Sequence, residues 1–205
     1  MRLGWELLAV CAGSFLPSED LSLTISRYVE ETVEANFDAA ITEYATLAMK
    51  RSSELLIRGP RKLPPGESEV EAIKENKPVV IRIYLLDGTT KAIYANSFTT
   101  IKDAVEDLNE KFNLTHADGF SLYEVNHEAD TILPLSSANY VCDYLAHWER
   151  FLQPSDKGLD SRYKFLYKRR TFLEDPMDDL QLMSSQNNFV FTLIFNQVTT
   201  VYSLI

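Results

Sequence analysis

The feature that most constrains this chain is a change of hydrophobic period at Pro78. Before it, apolar residues recur at helical intervals: Leu21, Ile25, Tyr28 and Val29, then Phe37, Ile41, Tyr44, Ala45 and Ala48. That spacing lines one face of a helix. After it, Val79, Ile81 and Ile83 alternate with Val80, Arg82 and Tyr84, and a period of two places alternate side chains on opposite faces of a strand. Between the two regimes lies RGPRKLPPGESEVEAIK, from Arg58 to Lys74. Gly59 suits a helix end in the left-handed region, and Pro60 cannot continue the helix. Glu67 to Lys74 reads as a short helix of its own. A chain of 205 residues can hold one large domain or two modest ones. The expectation is an all-helical unit joined to a β-rich one, α+β overall.

The helical part begins with MRLGWELLAVCAGSF. Leu3 to Ala12 is apolar almost all round, which suits a helix buried on most of its circumference. Glu6 interrupts the run, and the apolar core from Leu7 to Ala12 is short for a signal peptide. Trp5 has no evident local partner. Pro17-Ser18-Glu19-Asp20 marks the start of a second helix, with Ser18 as the cap and two acids at the positive end of the dipole. A third helix carries the stripe from Phe37 to Ala48 and must end near Arg58.

In the second part, Asp87-Gly88 is a hairpin signal and Lys91 to Ala95 the return strand. Thr100 and Asp103 stand at capping-box spacing, and Ile101, Ala104, Val105, Leu108 and Phe112 make an amphipathic stripe. GFSLYEV reads as a strand, as do Thr131 to Leu133 and Tyr163 to Tyr167. YVCDYLAHWER reads as a short helix with Tyr140, Tyr144 and Trp148 on one side. Hairpin, helix, further strands is the order of a ubiquitin-like roll.

The formal net charge is −10, from 30 acidic and 20 basic residues. It divides evenly: residues 1–76 hold 8 basic and 13 acidic residues, and residues 77–205 hold 12 and 17, so each part carries −5. Neither is a basic, nucleic-acid-seeking module, and the sequence has no C-x-x-C finger or Gly-rich phosphate loop. Cys11 and Cys142 are too few for a disulfide scaffold, and their apolar surroundings point to buried, reduced thiols. His127 opens the stretch HEADT, which lacks the second histidine of a zinc-protease motif, and His116 and His147 have no ligand at metal spacing. No Ser-His-Asp arrangement has spacing support. Catalytic, cofactor and metal sites are therefore not expected.

Two basic clusters remain as candidate partner-binding residues. Arg58, Arg61 and Lys62 flank the linker; Arg162, Lys164, Lys168, Arg169 and Arg170 lie near the last strand. Such clusters suit acidic peptides, acidic tubulin tails or phosphoinositides. The plainer alternative is solvated loop charge, or Arg58 and Arg61 pinning the linker against acidic neighbours. The final FVFTLIFNQVTTVYSLI falls short of the ~20 residues that span a membrane and reads as a helix start.

Taken in order, these segments resemble a known arrangement. GWELLAVCAGSFLPSEDL is similar to the MyTH4 stretch in which a tryptophan-bearing helix leads to a Pro-Ser turn. RGPRKLPPGESEVEAIKENKPVVIRIYLLDGTTKAI resembles the exit from MyTH4 into the first strand of a FERM domain's F1 lobe. GFSLYEVN and VCDYLAHWER resemble later parts of that lobe, and KFLYKRRTFLEDPMDD with LIFNQV the crossing into F2. The resemblance implies the C-terminal part of a MyTH4 bundle with a linker helix over 1–76, a ubiquitin-like F1 lobe over 77–170, and a truncated start of F2 over 171–205. The family's N-terminal MyTH4 helices and F3 lobe have no counterpart. Tails of this kind belong to unconventional myosins of classes VII, X and XV and to a plant kinesin. They are cytoplasmic, cytoskeletal and non-catalytic, they bind cargo tails and in some members microtubules, and they reach actin only through a motor that this chain lacks. No nucleic-acid partner is implied. Rival readings are the regulatory MyTH4 region of a GTPase-activating protein and a free ubiquitin-like adaptor.

Overall fold

The structure, a computed structural model, describes residues 2–114, 119–152, 158–170, 192–193 and 195–196. These hold helices α1 (Arg2–Ala12), α2 (Glu19–Ala35), α3 (Ala39–Arg58), α4 (Glu67–Lys74), α5 (Ile101–Lys111) and α6 (Val141–Phe151). The strands are β1 (Val79–Tyr84), β2 (Thr90–Ala95), β3 (Phe120–Asn126), β4 (Thr131–Pro134) and β5 (Tyr163–Arg169). The fold class is α+β, as the change of period requires. The chain divides into two compact units: Met1–Val79 with Ala95–Thr99 and Tyr140–Phe151, and Val80–Tyr94 with Thr100–Asn139 and Leu152–Ile205.

In the first unit, Trp5, Ala9, Val29, Tyr44, Ala45, Ala48 and Ile73 form a core. The three alanines let backbones approach closely, and Trp5 fills the remaining space. Trp5 does have a partner: its ring stacks on Tyr28 with centroids 5.3 Å apart. Helix α1 is covered on one side only, since Leu3 and Leu7 are 79% and 63% exposed, so burial on most of its circumference is not found. Phe37 lies outside α3 and is 95% exposed. The helix instead starts after Asp38, whose Oδ1 accepts from the Ala40 and Ile41 amides at 2.9 and 3.2 Å. Ser18 occupies the cap position of α2 without a side-chain cap bond. Gly59 ends α3 at a φ of 89°.

In the second unit the strand order is β2-β1-β5-β3-β4. β1 and β5 are parallel, and β3 is antiparallel to both β5 and β4. First and last strands side by side at the centre give the ubiquitin-like roll. Gly88, at a φ of 81°, makes the β1–β2 turn. The Thr100–Asp103 capping box is formed, and Ile101, Ala104, Leu108 and Phe112 are buried. Against this stripe lies one face of β5: the Tyr167 hydroxyl donates to Asn109 Oδ1, and its ring packs against Phe112 and Phe120. β5 also runs past Tyr167 to Arg169, which brings Lys168 and Arg169 under the alternation rule of a strand. The F2 start expected over 171–205 lies outside the described residues, apart from 192–193 and 195–196.

Candidate partner-binding surface

Alternation along β5 sorts the expected cations. Tyr163, Phe165 and Tyr167 are buried on the α5 side, and Arg169, in register with Phe120, shares that side. Lys164, Leu166 and Lys168 point the other way. Cross-strand partners share a face, so Tyr84 of β1 and Tyr123 of β3, both in register with Leu166, lie beside the two lysines. The ammonium of Lys164 sits 4.8 Å above the Tyr84 ring, and that of Lys168 sits 4.4 Å above Tyr123. Burial lowers the pKa of Lys168. Burial also raises that of Tyr123, while the charge of Arg170 pulls it back down, which places the Arg170 charge near this face.

Arg82 joins them from β1. Its Nη1 donates to Asp160 Oδ2 at 2.6 Å, and the Tyr84 hydroxyl donates to the same oxygen at 2.9 Å. Glu124, the one carboxylate in the five strands, pairs in register with Phe165 and so faces α5. The face therefore gathers Arg82, Lys164, Lys168 and Arg170, with Asp160 as the nearby acid. Arg162 does not contribute, because its guanidinium is engaged by Glu128 and its side chain is only 12% exposed. The consecutive run of three cations is thus split: Lys168 and Arg170 stay together and Arg169 goes to the other face.

The linker cluster, in the other unit, is split in a different way. Arg58 and Lys62 are exposed. Arg61, expected among the partner-binding cations, has a side chain with no exposed surface. Its Nε donates to Asp143 at 2.8 Å, and its Nη1 donates to Glu69 at 2.6 Å and to the Ser97 carbonyl at 3.2 Å. Burial alone would lower its pKa, but the hydrogen bond and charge of Glu69, then the charge of Asp143, more than offset this and raise it. An arginine so enclosed cannot meet a partner. It pins the linker to α4 and α6, the alternative weighed from the sequence. Asp143 also accepts from the Lys62 and Leu63 amides at 3.4 Å, and the Tyr140 hydroxyl donates to the Arg58 carbonyl at 2.6 Å.

A family model described as MyTH4 domain matches residues 1–72, and one described as RA like domain matches residues 77–171. The Caenorhabditis elegans unconventional myosin heavy chain 6 is 30% identical across 86% of this chain, and the Arabidopsis thaliana kinesin-like protein KIN-14E 30% across 89%. A MyTH4 match followed directly by an RA-like match, in one stretch, supports reading the chain as a fragment of a MyTH4–FERM tail. The chain spans 8% and 15% of the length of those two relatives. The MF1 MyTH4-FERM domain of Dictyostelium discoideum myosin VII superposes with a TM-score of 0.76 at 21% identity, covering 94% of this chain and 39% of that one. The human myosin 7b C-terminal MyTH4-FERM domain, solved in complex with a harmonin-a PDZ3 domain, matches with a TM-score of 0.64 at 22% identity over 85% of this chain and 34% of its own. At these identities the likeness establishes the fold.

The structure also carries features that the sequence pattern does not reveal. Arg82, Tyr84 and Tyr123 were assigned to strands and to no site, because the β1–β5 and β3–β5 pairings that bring them beside Lys164 and Lys168 are long-range. Arg51, inside α3, is another such feature. It is buried, and its guanidinium lies against Gly13 and donates to the Ala9 carbonyl at 2.7 Å and to Ser97 Oγ at 2.8 Å. Burial lowers its pKa. No helix among the described residues is long and apolar enough to cross a membrane.

Proposed function

We propose that this chain is a non-catalytic, protein-binding module of a cytoskeletal motor tail, working in the cytoplasm. The domain reading is a MyTH4 part over 1–76, an F1 lobe over 77–170 and the start of F2 over 171–205. Its binding surface is the sheet face with Arg82, Lys164, Lys168 and Arg170, and its partner an acidic polypeptide segment, from a cargo tail or a tubulin tail. The observation that carries this reading is the segregation of charge: in a chain of net charge −10, the strand residues of that face include cations and no carboxylate. A relative solved with a PDZ domain supports a protein as the partner class.

The test is fluorescence anisotropy with a labelled glutamate-rich peptide. Ion pairs at a surface contribute about 0.2–1 kcal/mol each, so a few contacts give micromolar-to-millimolar affinity. Binding should weaken between 50 and 300 mM salt, since the screening length shrinks through about 10 Å. Changing Lys164 and Lys168 to Glu should abolish it. Affinity indifferent to both salt and charge reversal would refute the reading. A hydrolysis assay with ATP and GTP covers the non-catalytic part, and turnover lost on a point change in this chain would overturn that.

A further inference from the structure

We propose that the helical unit forms a symmetric dimer, in which a leucine ridge on α1 of each copy seats in an apolar groove of the other. None of the cationic strand residues takes part. Helix α1 carries two charged residues, Arg2 and Glu6, and they pair with each other one turn apart at 2.9 Å. Charge is thus confined to one edge of the helix. Trp5 and Ala9 turn inward. On the opposite side, Leu3 and Leu7 stand one turn apart and are 79% and 63% exposed. The next position of that row is Cys11, which lines a groove of about 360 Å³ among α1, α2 and α3. Phe15, Leu16, Leu21 and Leu56 line it as well. Its described lining residues include no charged side chain, and its polar side chains are serines.

The area left open is that of an interface. Phe15, Leu16, Leu21 and Leu56 are each about half exposed or more. With Leu3 and Leu7 they leave roughly 500 Å² of apolar surface in water, at about 150 Å² for a whole large side chain. The largest apolar patch on a monomer is about 300–600 Å², and a stable interface takes about 800 Å² per partner. These six side chains alone supply the greater part of it. An acidic or basic segment seated in the groove would leave its charge there unpaired. A surface without charge fits, and the outer side of α1 is such a surface, next to the groove on the same molecule. In a two-fold dimer the patch meets itself, so each ridge enters a groove and each groove receives a ridge. Both apolar features are then covered at once, and the association closes at two. The net charge of −10 on each chain opposes it little, because no charge of the ridge or groove is stripped of water.

Sedimentation equilibrium of the full chain at roughly 1–100 μM is the test. Over most of that range the parent should run at twice its monomer mass of 23.4 kDa. Leu7→Glu puts a charge on the ridge, outside the chain's own core, and Leu56→Lys puts the opposite charge at the groove. Each should raise the dimer dissociation constant about a hundredfold or more, because in a two-fold dimer every change counts twice. Mixed in equal amounts, the two variants should bind each other at least about tenfold more tightly than either binds itself. One ridge–groove contact of the mixed dimer joins the two new charges, and the other is unaltered. Val80→Glu, at an exposed apolar residue of the other unit, should leave the parent's mass unchanged. Circular dichroism follows the helix content of each variant, and Leu7→Gln takes the place of Leu7→Glu if the latter loses helix. A parent that stays monomeric at the top of the range would overturn the inference. So would dimers indifferent to both substitutions, a mixture no tighter than its components, or a mass that climbs past the dimer with concentration. A monomeric parent whose groove takes up a fluorescent fatty acid would make the groove a lipid site and exclude the dimer.

Discussion

Replacing Arg61 by methionine tests the assignment of this residue to structure rather than to binding. In the native chain its guanidinium meets Glu69 and Asp143, whose side chains are 2% and 8% exposed. Methionine conserves much of the volume but leaves two buried carboxylates without a counter-charge. Breaking a buried pair from one side costs about 3–5 kcal/mol, and here both partners are orphaned, so the upper part of that range applies. Both tryptophans, Trp5 and Trp148, are buried in the same unit, so tryptophan fluorescence in urea reports on the right part of the molecule. With a slope of about 2 kcal/mol per molar urea, the midpoint should fall by roughly 2–2.5 M. Adding Glu69→Met and Asp143→Asn should recover most of the loss, since a buried charged group replaced as a whole is often neutral. Asparagine keeps an acceptor for the Lys62 and Leu63 amides. If Arg61→Met proves too unstable to purify, the triple variant still discriminates. A midpoint for Arg61→Met within about 0.5 M of the parent, combined with weaker peptide binding, would refute the argument. Arg61 would then be a partner contact after all.

Other expectations can be checked on the same material. Gly66→Ala should cost about 1–3 kcal/mol by overpacking, because a Cβ there falls 1.9 Å from Glu149 Oε2 and 3.1 Å from the Ala146 Cα. Combining it with Glu149→Ala should relieve part of the cost, and strict additivity of the two would disprove the clash. Burial raises the Cys142 thiol above its ordinary 9.0, so the stability it contributes is fully present below that pH and is lost as the pH rises beyond it. Between pH 9 and 10 the parent should lose up to about 1.4 kcal/mol per pH unit more than Cys142→Ala, and identical slopes would count against the buried thiol.

Element types were largely legible because each rests on local physics. The period of two in Val79 to Tyr84, the Asp87-Gly88 turn and the Thr100–Asp103 box all appear as read. So does α4, whose start after Gly66 follows from the Pro-Pro-Gly before it. What the sequence concealed is pairing across distance. Trp5 looked unpartnered because Tyr28 sits on the next helix. Arg61 looked like a free cation in a proline-rich loop because Asp143 arrives from α6, 82 residues further along the chain. Phe37 has the spacing of the α3 stripe, although Asp38 is a better cap than interior residue and fixes the start two positions later, at Ala39.

The basic run near the end of the last strand was legible as charge and illegible as a surface, and the difference bears on how the chain binds. Read as a loop, Lys168, Arg169 and Arg170 form one cationic spot. Read as a strand reaching Arg169, they divide between two faces, and Lys164 and Arg82 take the place of Arg169. The long-range field still belongs to the whole chain, with its net charge of −10, and a field of that sign does not hasten the approach of an acidic partner. Contact is decided on a shorter scale. Within a screening length of about 8 Å at physiological salt, a carboxylate at this face meets Lys164, Lys168 and Arg82 with Asp160 as the nearby acid. Association should therefore be slow for a charged pair, with salt acting chiefly on dissociation. Stopped-flow traces over a salt series would test this. An association rate that climbs steeply as salt is removed would mean that the face projects its field beyond the acidic remainder of the chain, and that charge in this molecule is organised on a larger scale than one side of a sheet.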